Sequence, residues 1–229
     1  MKLRMGIVLC AVLVTTQVAA AEEQELKTQK ERISYVVGLE MANNLKKNMI
    51  DLDVETLVRG VKDALSGAKP LMTEQERKET IVALQNELQA KQQELTKAIA
   101  EKNKKEGEDF LAENKKKQGV ITMPSGLQYK ILADGKGKSP KATDAVSVNY
   151  RGMLVDGTEF DSSYKRGQPE TFVVNRIIPG WTEALQLMKP GSKWQLFIPP
   201  DLAYGERGTG GPIGPNAVLI FEVELISIK

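Results

Sequence analysis

The sequence predicts an α+β protein, with helices in its first half and a curved antiparallel sheet wrapped over a short helix in its second. Three observations carry this. Apolar residues recur every fourth position from Ile33 to Met49. A charged run free of proline extends from Thr73 to Met123. Past Lys117 the chain breaks into short alternating or β-branched runs separated by turn residues.

Residues 1–21 read as a signal peptide: Lys2 and Arg4, an apolar run over 5–14, then Ala19-Ala20-Ala21 before Glu22. The run is about half the ~20 residues a membrane-spanning helix needs, so export is expected rather than a permanent anchor, and no integral membrane segment is expected in the mature chain. Cys10 follows Leu9, not a small residue, which argues against a lipidated cysteine. The expected destination is the periplasm, with the outer membrane or cell surface as alternatives.

Losing Lys2 and Arg4 takes the 32 basic residues to 30, equal to the 30 acidic ones, so nothing calls for nucleic acid or anionic lipid. Cys10 is the only cysteine and there is no histidine. Cys-His and Ser-His-Asp catalysis, thiolate chemistry and the usual zinc sites are thereby excluded. No metal and no cofactor are called for.

Residues 22–72 form the first predicted domain. Ile33, Val37, Met41, Leu45 and Met49 make one stripe, with Val36 beside it, and Val54, Leu57, Val58, Val61 and Leu65 make a second, ended by Gly67 and Pro70. Two helices of this size bury both stripes poorly. With no cysteine to staple them, the expected cover is a second copy of the chain, with Ile33, Val37, Met41, Leu45 and Met49 at a homodimer interface. The alternative folds them back on their own domain.

Residues 73–118 are predicted as a long connecting helix. Thr73-x-x-Glu76 is a capping box, and a helix reaching Asn114 is about 60 Å long. Ile81, Leu84 and Leu88 mark its first turns. From 89 to 109 apolar residues thin to Leu95 and Ile99, while Glu74/Lys78, Glu87/Lys91 and Glu101/Lys105 stand in the favoured order at spacing four. This describes a solvated stalk between two modules; a disordered linker is the alternative, disfavoured by the scarcity of glycine and proline.

Residues 119–229 form the β-rich domain. Strands are expected over 120–122, 127–132, 145–154, 171–174, 193–198 and 218–228, and a short helix over 181–188 with Trp181, Ala184, Leu185 and Met188 on one side.

Four separated strings stand out here. VNYRGMLVDGTEFDSS (148–163) carries Tyr150, Phe160 and Asp161. In IIPGWTEALQLMKPGSKW (177–194), Pro179-Gly180 leads into a helix opened by Trp181. PPDLAYGERG (199–208) carries Tyr204, and VLIFEVELISI (218–228) carries Phe221. Taken singly, each has a plain structural reading: a lone aromatic is more often core, Asp161 a turn cap, Tyr204 a core tyrosine, and Trp194 packing or surface.

Together, in order and spacing, they resemble the FKBP family of peptidyl-prolyl isomerases over 124–229. The N-terminal half resembles the exported dimeric branch that includes the macrophage infectivity potentiator proteins. The resemblance implies an FKBP-type isomerase domain, a V-shaped homodimer and peptidyl-prolyl cis-trans isomerase activity. It places Trp181 beneath the proline ring, Tyr150, Phe160 and Phe221 around it, and Asp161 and Tyr204 as polar contacts. Ile177 and Ile178 form a rim, Ile213 lies in an overhanging loop, and Phe172 is a further wall in a stretch, 164–178, that is shorter than in single-domain members. The run Gly211-Pro212-Ile213-Gly214-Pro215 also departs from the family, so preference for the residue before proline does not carry over.

The implied partners are unfolded or partly folded proline-containing polypeptides and macrolide inhibitors. The rival reading is a client-binding chaperone or surface adhesion/virulence protein in which isomerisation is incidental. Three weaker motifs carry little: Ser162-x-x-Lys165 lacks its companions, Gly208-Thr209-Gly210-Gly211 lacks the helix of a phosphate cradle, and Asp51-x-Asp53 lacks the glycine and glutamate of a calcium loop.

Overall fold

The computed structural model describes residues 25–229, so the signal-peptide reading and Cys10 lie outside the described residues. The chain divides into two compact units at residue 73.

The first unit is a helix pair. Helix α1 (Gln29–Lys47) opens on Thr28, whose hydroxyl accepts from Glu31 N while the Glu31 carboxylate accepts from Thr28 N, a full capping box. Helix α2 (Val54–Ser66) opens on Asp53, which accepts from Thr56 N at 2.7 Å, and closes on Gly67 in the left-handed region. Asp53 is therefore a helix cap. Neither helix buries a residue. Leu45 and Met49 border a hollow with Val54 and Leu57, while Ile33, Val37 and Met41 stand exposed to solvent.

The second unit begins with helix α3 (Glu74–Asn114), whose Glu74–Lys78 and Glu87–Lys91 pairs form at 2.8 and 2.7 Å. Seven strands follow: β1 (Val120–Thr122), β2 (Gln128–Ala133), β3 (Ala145–Leu154), β4 (Glu159–Ser162), β5 (Glu170–Val173), β6 (Lys193–Ile198) and β7 (Leu219–Ile228). They build one sheet in the order β1-β2-β6-β7-β3-β4, with β5 on the same edge of β3 as β4; all pairs are antiparallel. Strand alternation turns Val146, Val148, Tyr150 and Gly152 of β3, and Leu219, Phe221, Val223 and Leu225 of β7, to one buried face.

A short helix, α5 (Pro179–Leu185), covers that face with Trp181, Ala184 and Leu185. It starts two residues earlier than the sequence suggests because Pro179 takes the first helical position, where proline loses no hydrogen bond. Gly180 fits the helix against the sheet, since a Cβ there would lie 2.5 Å from Ile198 Cγ2. Besides short 3-10 turns, two elements were not expected: β4, which pairs with β3 at only three positions across a register shift, and the one-turn helix α4 (Ser163–Arg166). Trp194 packs, stacked on Tyr129 with centroids 4.3 Å apart and rings nearly parallel.

The first turns of α3 are exposed, as the sequence suggests, while its last turns pack onto the sheet of the same unit. The Phe110 ring meets that of Phe197 at 5.9 Å, Asn114 Nδ2 donates to Gln128 Oε1 at 2.9 Å, and Gln128 Nε2 donates to Leu111 O at 2.9 Å. Among the described residues no helix is long and apolar enough to cross a membrane.

Candidate active site

At one end of the buried face, β3, β4, β5, α5 and β7 converge on a cavity of about 470 Å³. Its centre is Trp181, 4% exposed, which meets three rings edge to face: Tyr150 at 5.2 Å, Phe221 at 5.2 Å and Phe172 at 5.8 Å. Phe160 closes the set, perpendicular to Phe221 at 5.5 Å. These edge-to-face geometries suit the ring quadrupoles and hold each wall in one orientation. Trp181 Nε1 is buried without a hydrogen-bond partner, a cost that an indole used only for packing normally avoids.

Local sequence explains the convergence. Tyr150 and Phe221 face inward by strand alternation, and Gly152 stands opposite Phe221 in the β3–β7 register. Phe160 and Asp161 lie on β4, and Phe172 on β5 opposite Val146. After Phe172 a 3-10 turn (Val174–Arg176) leads through Ile177, in extended conformation, to Ile178 at the start of α5. Ile178 O accepts from Trp181 N and Thr182 N at 3.0 and 3.1 Å, which fixes this corner. Tyr204 follows the 3-10 turn Pro200–Leu202 and remains 43% exposed at the mouth.

The structure thus brings Tyr150, Phe160, Asp161, Phe172, Ile177, Ile178, Trp181, Tyr204 and Phe221 around one cavity. Ile213 is not in its lining: it is 6% exposed, joins the apolar core, and its carbonyl accepts from Thr209 N. The dimer-interface candidates lie in the first unit.

Four residues of the site escaped the sequence reading: Gly152, Arg166, Arg176 and Ala203. Arg176 and Ala203 line the cavity. Gly152 carried a signal, since a glycine inside an alternating strand marks a close approach. Arg166 carried almost none, because its partners sit at 150, 161 and 170.

Those partners form one network. Tyr150 OH donates to Asp161 Oδ2 at 2.5 Å, Arg166 Nη1 donates to Asp161 Oδ1 at 2.5 Å, Nη2 donates to Tyr150 OH at 2.7 Å, and Nε donates to Glu170 Oε1 at 2.8 Å. Burial, then the Asp161 hydrogen bond, push the Tyr150 phenol up to about 12. Burial alone raises the Asp161 carboxyl, but the Tyr150 hydroxyl and the Arg166 guanidinium outweigh it and hold it below the usual carboxylate range. Arg166 is raised by the same partners, Asp161 first. Asp161 therefore stays ionised and Tyr150 neutral across neutral pH. Such a cavity has the shape and lining to take an apolar ring, with hydrogen-bonding groups beside it. Among the described residues no group of His, Cys, Asp or Glu is arranged to hold a metal ion.

Residues 136–226 match the model of the FKBP-type peptidyl-prolyl cis-trans isomerases, and residues 30–131 match that of the domain amino-terminal to FKBP-type peptidyl-prolyl isomerase. The chain is 46% identical over 230 residues to the outer membrane protein MIP of Legionella longbeachae, covering 99% of each. It is 46% identical over 204 residues to the peptidyl-prolyl cis-trans isomerase Mip of Coxiella burnetii, covering 89% of each. Among solved structures it is similar to FkpA from Escherichia coli, with a TM-score of 0.74 at 39% identity over 90% of this chain and 99% of that one.

Proposed function

Because the chain belongs to the FKBP-type peptidyl-prolyl cis-trans isomerase family, and is a peptidyl-prolyl cis-trans isomerase, we propose that the aromatic cavity around Trp181 is where the proline ring binds and the prolyl amide twists. The observation that carries this is the meeting of Trp181 edge to face with Tyr150, Phe172 and Phe221 around an unfilled volume of about 470 Å³.

Rotation about an X-Pro bond faces a barrier of ~18–20 kcal/mol, most of it amide resonance. The twisted transition state has lost that resonance, so no bond to the enzyme and no proton transfer is required. Catalysis needs only tighter binding of the twisted amide than of the planar one, and about 4 kcal/mol of difference accelerates the reaction a thousandfold. Trp181 is the floor under the ring; Tyr150, Phe160, Phe172 and Phe221 are its walls; Ile177 and Ile178 form the rim, with Ile178 offering backbone groups to the peptide. Tyr204 donates its hydroxyl to a substrate carbonyl. Asp161, anchored by Tyr150 and Arg166, keeps lone pairs free for a peptide N–H.

Residues 22–72 are the dimerisation domain, 73–118 the connecting helix and 119–229 the isomerase domain of an exported, periplasmic homodimer. The absence of any buried residue in α1 and α2 supports the dimer, because an apolar stripe left uncovered in one chain calls for a partner. Clients are unfolded or partly folded proline-containing polypeptides, and macrolides that mimic a twisted prolyl amide compete for the cavity.

The test is the cis-to-trans rate of a short Ala-Phe-Pro peptide with mature protein and with Tyr204→Ala. Acceleration lost in the variant supports the pocket; acceleration retained rejects it. A second reading, client holding in which isomerisation is incidental, is favoured by the side of the α1–α2 hollow lined by Ile50, Leu52, Val54 and Leu57, outside the proposed dimer stripe. Suppression of aggregation that survives both Tyr204→Ala and Asp161→Leu supports that reading.

A further inference from the structure

The last turns of α3 grip the glycine-rich loop that follows Tyr204. Asn103 Nδ2 donates to Pro215 O at 2.8 Å, and Asn216 Nδ2 donates in the other direction to Ala100 O at 3.4 Å. Two opposed bonds between residues one turn apart on the helix and adjacent residues of the loop fix its rotation as well as its distance. Glycines allow the approach: a Cβ at Gly107 would lie 2.6 Å from Val218 Cγ2, and one at Gly214 would lie 3.1 Å from Asn103 Nδ2 and 3.3 Å from Ile99 Cγ2.

Asn216 holds a φ of 56°, the left-handed region that non-glycine residues enter at a cost and asparagine enters most readily. Its backbone N donates to Gly205 O at 2.9 Å, and Gly205 follows Tyr204 directly in the chain. Within the loop Thr209 N donates to Ile213 O at 2.9 Å. With five glycines between 205 and 214, the loop has a large conformational entropy to lose, and the helix contacts are what oppose it.

We infer that the end of α3 is part of the scaffold of the isomerase site, and that Asn103 and Asn216 are positioning residues that hold the loop beside Tyr204 in its substrate-competent arrangement. This rests on the assignment of Tyr204 to the site. The two asparagines act on the fraction of molecules that are competent to bind. When that fraction falls, apparent affinity falls in proportion while turnover at saturation is kept. Damage to the fold alone has the opposite signature: fewer active molecules, hence lower kcat at unchanged KM.

The experiment uses the mature chain with Asn103→Asp, which is nearly isosteric but lacks the donor, and Asn216→Gly, which keeps the left-handed backbone but lacks the side-chain bond. A short prolyl peptide is the substrate, and hydrogen exchange is read at the amides of Thr209 and Asn216. The expected result is a KM raised about fivefold at kcat within about twofold of the parent, with exchange protection lost at both amides. Unchanged KM, or a loss in kcat alone, overturns the inference. Tyr204→Ala separates the two assignments. If it leaves kcat/KM unchanged, the pocket assignment falls and this inference with it. If it lowers kcat/KM while both asparagine variants match the parent, only the inference falls.

Discussion

Gly152 stands opposite Phe221 in the β3–β7 register, and a Cβ on Gly152 would lie 2.7 Å from the Phe221 ring and 2.7 Å from the Phe160 ring. Two cavity walls thus occupy the space that any other residue at 152 would take. Gly152→Ala must push one ring off its rotamer, at a stability cost of about 1–3 kcal/mol. A displaced wall also disturbs the ring site, so kcat/KM for a prolyl peptide is expected to fall at least about tenfold. Urea denaturation and the peptide assay, run on the same preparation, check both; full activity in the variant would show that the two rings do not shape the site.

The charge network predicts the pH profile. Asp161 is held below the usual carboxylate range, so its ionised form is the one the fold favours. Its contribution is present above the pKa of an unperturbed carboxylate and is lost as pH falls through the lower folded value. Tyr150, pushed up to about 12, stays neutral. The value of kcat/KM is therefore expected to be flat from about pH 5 to about pH 9. Arg166→Met removes the cation that opposes the burial of Asp161, so the acid limb should move to higher pH. An unmoved limb would mean that Asp161 does not govern it.

Much of this arrangement was legible in the residues. Alternation marked β3 to the residue, because alternate side chains of that strand face the core; β6 alternates only over its first four residues, since Phe197 is buried on the other side against Phe110 of α3. The ring set was legible only as a resemblance, because its members occur in the order and spacing of the FKBP family, while each ring taken singly reads as core. What escaped was geometry without an apolar signature. Apart from Phe110, which meets Phe197, α3 docks onto the domain through polar or absent side chains at Asn103, Gly107 and Asn114, so a reading that counts apolar residues sees only a solvated stalk. Arg166 escaped for the same reason, since its role exists only after β3, β4 and β5 come together.

The exposed α1 stripe predicts an assembly that charge can break. Val37 is 62% and Met41 41% exposed in the single chain, so Val37→Glu with Met41→Glu creates no buried charge within it. If the stripe is the dimer contact, the double variant buries unpaired charge at the interface and sedimentation should show a monomer. Turnover of a short peptide should persist, because both positions lie in the unit before residue 73. A dimer that survives both substitutions places the interface elsewhere.

The two tryptophans of the sequence supply a direct probe of the cavity, since they differ in surroundings and Trp181 is the one that lines it. Trp194 is stacked on Tyr129, whereas Trp181 lies at the centre of the ring cluster with its Nε1 unpartnered. A ligand that enters the cavity replaces solvent against Trp181 and leaves the surroundings of Trp194 as they were. A macrolide titration should therefore change the emission of the parent and of Trp194→Phe alike, and leave Trp181→Phe silent. Trp181→Phe should also lose activity, because the smaller ring leaves the cavity floor short of contact with the bound proline. A signal that follows Trp194 instead would move the ligand site away from this cavity and remove the physical basis for every assignment built on Trp181.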